Sequence, residues 1–375
     1  MAISTIDGPN SIISEIPAGL ARVADDHVIA VAGNKARVVD ISSGTAMAFG
    51  TQATYDTGAE GPVAGLMNAG ALRAVSVYTI GVGFPANHLK AAVLTADLTA
   101  DTVSYSVATL LTDATHDPST WNIAIGLALG CVVDTDKMFY VFVQEEPGVQ
   151  SEVMGVIVST SGGTAVAGTP SVILNTTLSA TNSVVAVFPI STTAVVAVLD
   201  DGTYFIVTVS GTSLSVGSQQ STFGGVSAGS GGCALPSGVG IAPESDGSVA
   251  TFSGGAYLSS GAAGQVDAQA KMAPLQTRTA VAVGPTALKR VVLNADGTFN
   301  STTDAYTYDS SGNNQGGFAA AMQADGSELL ILGRRGSAAY MTYLNDIPTA
   351  DPNGVGALGY GLTRSAGGIP GAVMI

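Results

Sequence analysis

Turn signals recur along this chain at strand-length intervals, and they constrain its fold more than any other feature. Asp201-Gly202, Asp246-Gly247, Asp296-Gly297 and Asp325-Gly326 each separate two short runs, and Asp-Gly supplies the positive φ that tight primed hairpin turns require. The clearest runs are β-branched or aromatic and of strand length: His27 to Val31, Ala36 to Ile41, Leu72 to Ile80, Leu89 to Leu94, Val103 to Leu111, Met138 to Val143, Val153 to Val158, Val184 to Phe188, Ala194 to Leu199 and Tyr204 to Val209. Almost no segment keeps apolar residues at helical spacing for three turns with caps, so helix should be scarce. Hairpins join neighbouring strands directly, which favours antiparallel sheets over a parallel sheet with crossover helices.

The runs group into about seven units of four strands, near 17–57, 61–113, 121–176, 182–224, 231–268, 271–309 and 316–346. Small-residue strands mark the openings: Val63-Ala64-Gly65-Leu66, Ile123-Ala124-Ile125-Gly126, Val184-Val185-Ala186-Val187, Ala280-Val281-Ala282-Val283 and Phe318-Ala319-Ala320-Ala321. Small side chains suit an innermost strand where sheets converge on an axis, so the expected fold is an all-β β-propeller of about seven four-stranded blades, with tandem β-sandwiches as the alternative. The propeller is expected over 1–348. The fifth unit is the weakest, because Gly and Ser crowd Gly231 to Gly255 and few bulky apolar residues remain for a core. Residues 349–375 read as a Gly/Pro-rich C-terminal extension. It keeps apolar residues at Val355, Leu358, Tyr360, Leu362, Val373 and Ile375, which should be ordered only by packing on a partner subunit or on the final blade.

Composition removes several classes of function. Only 11% of the residues are charged, and the net charge is −15, so the surface must be covered largely by Ser, Thr, Gly, Asn and Gln. No Lys/Arg cluster longer than Arg334-Arg335 occurs, so nucleic acid is not an expected partner. The acidity, with a pI near 4.3, offsets a mean hydropathy of +0.39 and opposes adhesion to anionic membranes. The longest apolar stretch, Ile123 to Val133, is about half of what a membrane-spanning helix needs, so no membrane insertion is expected. The first basic residue is Arg22, and the start lacks the features of a secretory signal. Cys131 and Cys233 each lie in a weakly polar run and are expected to be buried free thiols rather than a disulfide.

The stretch Gly354-Val355-Gly356-Ala357-Leu358-Gly359-Tyr360-Gly361-Leu362-Thr363-Arg364-Ser365-Ala366-Gly367-Gly368 resembles a segment of tailed-bacteriophage virion proteins of the form (V/I)G(V/I)A-x-(T/S)-x-A-A-G-x. A second version runs from Ala256-Tyr257-Leu258-Ser259-Ser260 to Gly261-Ala262-Ala263-Gly264-Gln265, and the first departs from the pattern at Ile369-Pro370-Gly371. The Gly/Ala/Ser/Thr/Val-rich, Cys-poor composition is also similar to that of phage tail and fibre proteins. The resemblance implies a virion structural or adsorption protein, of tail, fibre or head-decoration type, made in the host cytoplasm without a signal peptide. It further implies that the protein is oligomeric in the particle, with other virion proteins and a host-surface glycan or receptor as partners.

Few residue patterns point to catalysis. His27, His88 and His116 stand in separate contexts, without a spacing that puts two ligands on one metal. Asp134-Thr135-Asp136 and Asp200-Asp201-Gly202 lack the frame of a calcium loop, and Glu145-Glu146 sits at a strand end beside Pro147-Gly148. No nucleophile elbow or phosphate-cradling loop has its strand-to-helix context. The enzymatic rival is a sialidase-like or other carbohydrate-active propeller, which would draw on the eight arginines, and Glu244 to Phe252 faintly resembles the sialidase S-x-D-x-G-x-x-W turn. No cofactor is expected. Trp121 either caps a core or joins Tyr55, Tyr78 or Tyr105 in a glycan-stacking patch, for which Trp121 and Tyr105 are the leading residues.

Overall fold

The computed structural model describes the backbone of most residues between 18 and 344 and of residues 373–374, leaving out short stretches between strands, and it describes side chains for most positions between 24 and 303. Among the described residues there are strands and turns and no helix. The strands form seven antiparallel sheets, each a meander in chain order.

The first sheet comprises β1 (Ala18–Ala24), β2 (His27–Ala32), β3 (Lys35–Asp40), β4 (Ala48–Phe49) and β5 (Ala53–Thr54), the last two sharing the edge of β3. The second holds β6 (Leu66–Asn68), β7 (Arg73–Ile80), β8 (His88–Asp97) and β9 (Thr102–Thr112). The third holds β10 (Asn122–Asp134), β11 (Lys137–Glu146) and β12 (Gln150–Ser159), with β13 (Val166–Ala167) and β14 (Ser171–Thr177) along one edge. The fourth is β15 (Val184–Ser191), β16 (Ala194–Leu199), β17 (Tyr204–Ser210) and β18 (Ser213–Val216). The fifth is β19 (Cys233–Ala234), β20 (Val239–Pro243), β21 (Val249–Ser253) and β22 (Ala256–Ser260). The sixth is β23 (Lys271–Gln276), β24 (Thr279–Val283), β25 (Ala287–Leu293) and β26 (Phe299–Thr307). The seventh is β27 (Asn314–Met322), β28 (Leu329–Arg335), β29 (Ala338–Leu344) and β30 (Val373–Met374).

Eight of the ten expected runs lie wholly in strands; Leu72 precedes β7, and Ile41 lies outside the described residues. Each of the seven expected units covers most of one sheet, although β14 ends at Thr177, β27 starts at Asn314 and β30 lies beyond 346. The C-terminal segment adds a detail: Val373 pairs with Tyr343 and Met374 with Thr342, so the end of the extension supplies the outermost strand of the seventh sheet.

The period of two along each strand explains how the sheets stack. In the third sheet Met138, Tyr140, Phe142, Met154, Val156 and Val158 meet Val75, Val77, Leu89 and Val93 of the second. The alternate residues Phe139, Val141, Val153 and Ile157 meet Val195, Ala197, Leu199 and Val207 of the fourth. Such two-sided burial requires apolar residues at both parities, so these strands read as continuous apolar runs rather than alternating ones. The same arrangement joins the first sheet to the second, the fourth to the fifth and the fifth to the sixth. First strands also lie side by side in chain order, β1 with β6, β6 with β10, β10 with β15, β15 with β19, β19 with β23 and β23 with β27, and β27 returns to β1. A repeated bond ends the outer strands, where the N–H groups of Gly50, Gly168, Gly217 and Gly261 donate to third-strand carbonyls of Val38, Ile157, Ile206 and Val249 at 2.8 to 3.0 Å.

Four sequence expectations need correction. Ala280 to Val283 is the second strand of the sixth sheet, not its opening; it is small because it is buried between two sheets, and Lys271–Gln276 comes first. Leu72 belongs to a turn, at φ 61°, with its carbonyl accepting the Ala96 N–H at 2.8 Å. The turns at Asp246-Gly247 and Asp296-Gly297 are not primed two-residue turns. Gly247 and Gly297 alone take positive φ, 80° and 86°. Their N–H groups donate to the carbonyls of Glu244 and Asn294, while the Glu244 and Asn294 N–H groups reach Ser248 and Thr298. That is a three-residue loop closed by a glycine bulge. Asp201-Gly202 and Asp325-Gly326 lie outside the described residues. Finally, the fifth sheet has a dense core after all. Phe252 is fully buried, with ring centroids of Phe188, Tyr204 and Tyr257 at 5.4, 5.8 and 5.9 Å.

Candidate functional site

Of the three described tyrosines considered for a glycan patch, only Tyr105 presents its side chain to solvent. It lies on β9, the outer strand of the second sheet, opposite Leu94, and half of its surface is exposed. Tyr55 and Tyr78 do not join it, because both are buried between the first and second sheets. Their rings tilt at 56° with centroids 5.9 Å apart. The Tyr78 hydroxyl donates to Asp56 Oδ2 at 2.9 Å, Lys90 Nζ donates to the same oxygen at 3.1 Å, and the Tyr55 hydroxyl meets Ser76 Oγ at 3.3 Å. Burial pushes the Tyr55 phenol up to about 12, and burial followed by the bond to Asp56 pushes Tyr78 up as well. This network fastens two sheets together and offers no stacking face. Trp121 lies outside the described residues, as do Leu358, Tyr360, Leu362 and Ile375; Val373 is described as backbone in β30.

The acidic clusters act locally. Lys137 Nζ lies 3.4 Å from Asp134 Oδ2 and 3.7 Å from Asp136 Oδ1, so this pair holds a cation of its own turn. Asp246 Oδ1 accepts the Ser248 hydroxyl at 2.7 Å and its N–H at 2.9 Å, and these bonds hold the Asp246 carboxyl below its ordinary value. Asp296 does the same with Thr298, at 2.7 and 3.0 Å. Glu145 and Glu146 end β11, opposite Ser151 and Gln150. His27 Nε2 sits 3.7 Å from Asp40 Oδ1, and His116 lies outside the described residues. Among the described residues no group of three or more His, Cys, Asp or Glu is placed to hold a metal ion.

Cys131 and Cys233 are unpaired. Cys233 is buried as expected, whereas Cys131 is only partly so, at the end of β10 beside Val132, 41% of whose surface is exposed. Burial pushes both thiols up, away from the thiolate form that reacts.

The most developed polar cluster is one the sequence reading missed. Glu244, 2% exposed, follows β20 and accepts the hydroxyls of Ser248 and Ser260 on one oxygen and the Gly224 N–H at 2.8 Å on the other. Ser245 Oγ donates back to the Gly224 carbonyl at 2.9 Å. A buried carboxylate is tolerated only when its lone pairs are filled, and here they tie the segment between the fourth and fifth sheets to the β20–β21 turn. The residues that resembled a sialidase turn are thus a tether. A detectable signal existed: a glutamate directly before Ser-Asp-Gly-Ser, with Ser259-Ser260 one strand later.

Among the described residues Tyr105 of β9 is the most exposed aromatic side chain. No protein-family model matches the chain, and no curated protein matches it.

Proposed function

We propose that the seven sheets are the blades of a closed propeller, and that the protein is a non-catalytic structural or adsorption component of a bacteriophage particle. It serves as a rigid platform that meets a host-surface receptor or neighbouring virion subunits. The observation that carries the platform reading is the cyclic order of first-strand contacts, β1 through β27 and back to β1. Sheets two to five bury both faces, which a pair of two-layer sandwiches would not require. Support for a scaffold rather than an enzyme comes from the acidic groups, because Asp56, Asp134, Asp136, Glu244, Asp246 and Asp296 are engaged in holding sheets and turns. The phage assignment rests on the resemblance of 354–368 and 256–265, together with the Ser/Thr-rich, low-charge composition.

The body is assigned to 1–348 and the C-terminal extension to 349–375, with Leu358, Tyr360, Leu362, Val373 and Ile375 as its assembly contacts. Mass spectrometry and immunogold labelling of purified particles test the location, and absence from intact particles would overturn the reading. Deleting Thr349 to Ile375 is expected to leave a cooperatively melting body that fails to join the particle. Incorporation at full copy number would remove the anchoring role, and loss of folding would make β30 a closing strand instead.

A further inference from the structure

The outer edge of β9 differs from the other outer edges in a way that points to a partner. From Thr102 to Thr109 it pairs with β8 without a register shift, Asp97↔Thr102 through Lys90↔Thr109. Among the described residues no strand pairs with its other side. Ser104, Tyr105, Ser106 and Val107 are consecutively exposed, Tyr105 by 50% and Val107 by 37%. The sequence Thr102-Val103-Ser104-Tyr105-Ser106-Val107-Ala108-Thr109-Leu110-Leu111-Thr112 holds no charge and no proline.

Long regular edges in monomers are normally blunted by charge, proline, bulges or brevity. The other outer edges here carry those devices. The third sheet's edge is split into β13 and β14 around Gly168-Thr169-Pro170, β18 has four residues, β22 has five with a register shift, and β26 contains Asp304 and two shifts. Among the described strands only β9 is both long and unguarded.

We infer that the β9 edge pairs with the β9 edge of a second copy of this chain, antiparallel and about a two-fold axis at Ser106. Charge decides the occupant. On a chain of net charge −15, two identical surfaces can meet only where neither carries acid, and an uncharged edge is self-complementary under a two-fold. Centring on Ser106 sets Tyr105 opposite the partner's Val107 and Val107 opposite the partner's Tyr105. Aromatic against β-branched is a favourable cross-strand pair. This inference does not depend on the phage reading.

Sedimentation velocity on the full chain at about 100 μM, above the micromolar range expected for a small interface, is expected to show a dimer. Val107→Glu, an exposed position, should yield a monomer with an unchanged circular dichroism spectrum and melting temperature. The double variant Tyr105→Lys with Val107→Glu should restore the dimer, because each lysine then faces the partner's glutamate. A monomeric parent protein, or a dimer that survives Val107→Glu, would overturn the inference. A dimer lost in Val107→Glu but not restored by the double variant would overturn the register.

Discussion

The third and fifth sheets share one topology and reach it with different materials. The third uses three strands of ten and more residues, β10 to β12, and large side chains, with Met138, Phe139, Tyr140, Val141 and Phe142 consecutive and all essentially inaccessible. The fifth uses strands of two to five residues. There, close approach replaces volume: a Cβ on Gly240 would overlap Ile190 Cγ2, and one on Gly232 would lie 2.6 Å from the Phe188 ring, both residues of the preceding sheet. Glycine in the fifth sheet is thus a packing residue, and the bulk it lacks is supplied from across the interface. The two sheets also treat buried polar atoms differently. Glu244 of the fifth is fully engaged, whereas the Tyr140 hydroxyl of the third is buried without a hydrogen-bond partner.

The sharpest way to break this comparison is to remove volume where volume holds the sheet. Phe139→Ala should cost about 3–5 kcal/mol, because the cavity opens between two sheets that cannot both collapse into it. Chemical denaturation read by fluorescence and circular dichroism measures it, and a loss below about 1 kcal/mol would mean that the third sheet does not rely on bulk. The fifth sheet should fail in the opposite direction. Gly240→Ala adds atoms and should cost about 1–3 kcal/mol, as overpacking does. Ile190→Ala removes the Cγ2 that the new methyl would meet, so the double variant should lose less than the sum of the two single losses, and strict additivity would refute the close-contact explanation.

Glu244→Ala should cost about 2 kcal/mol, since it takes away the acceptor of the Gly224 N–H and one acceptor from each of two serine hydroxyls. Limited proteolysis should then cut between residues 217 and 232 faster than in the parent, and an unchanged cleavage pattern would show that the tether is dispensable. Tyr140→Phe should have the smallest effect and the opposite sign, neutral to about 1 kcal/mol stabilising, because it removes an unpartnered hydroxyl. Burial pushes the Tyr140 phenol above its ordinary value of 10.0. Its protonated form is therefore favoured by folding. That contribution is intact below pH 10 and is lost as pH rises towards the folded value. The parent should lose stability in alkali, and Tyr140→Phe should lose less. Equal losses in the two proteins would exclude Tyr140 as the source.

Particular residues show where sequence reading succeeds and stops. Ala194 to Leu199 was legible as a strand to the residue, because six apolar residues, five of them valine or alanine, between turn formers leave one conformation that buries them. Asp246-Gly247 and Asp296-Gly297 were legible as turns, but their loop length was not. Asp-Gly serves both a two-residue turn and a three-residue bulged loop, and the choice depends on which strand residues pair. The sequence left Tyr55 and Tyr78 open to a place in a glycan patch because a tyrosine's exposure depends on what lies across from it, and that neighbour comes from another sheet.

The sequence by itself determined the all-β class and the seven strand groups, since hairpin signals and runs of β-branched residues are local and act within a few positions of the chain. Only the tertiary structure decided which faces are buried, why Gly240 must be small, that Glu244 tethers a distant segment, and that among the described strands β9 keeps a long uncharged edge. Each of these depends on a partner strand or sheet remote in the chain, and no local pattern encodes the distance between surfaces that meet only after folding.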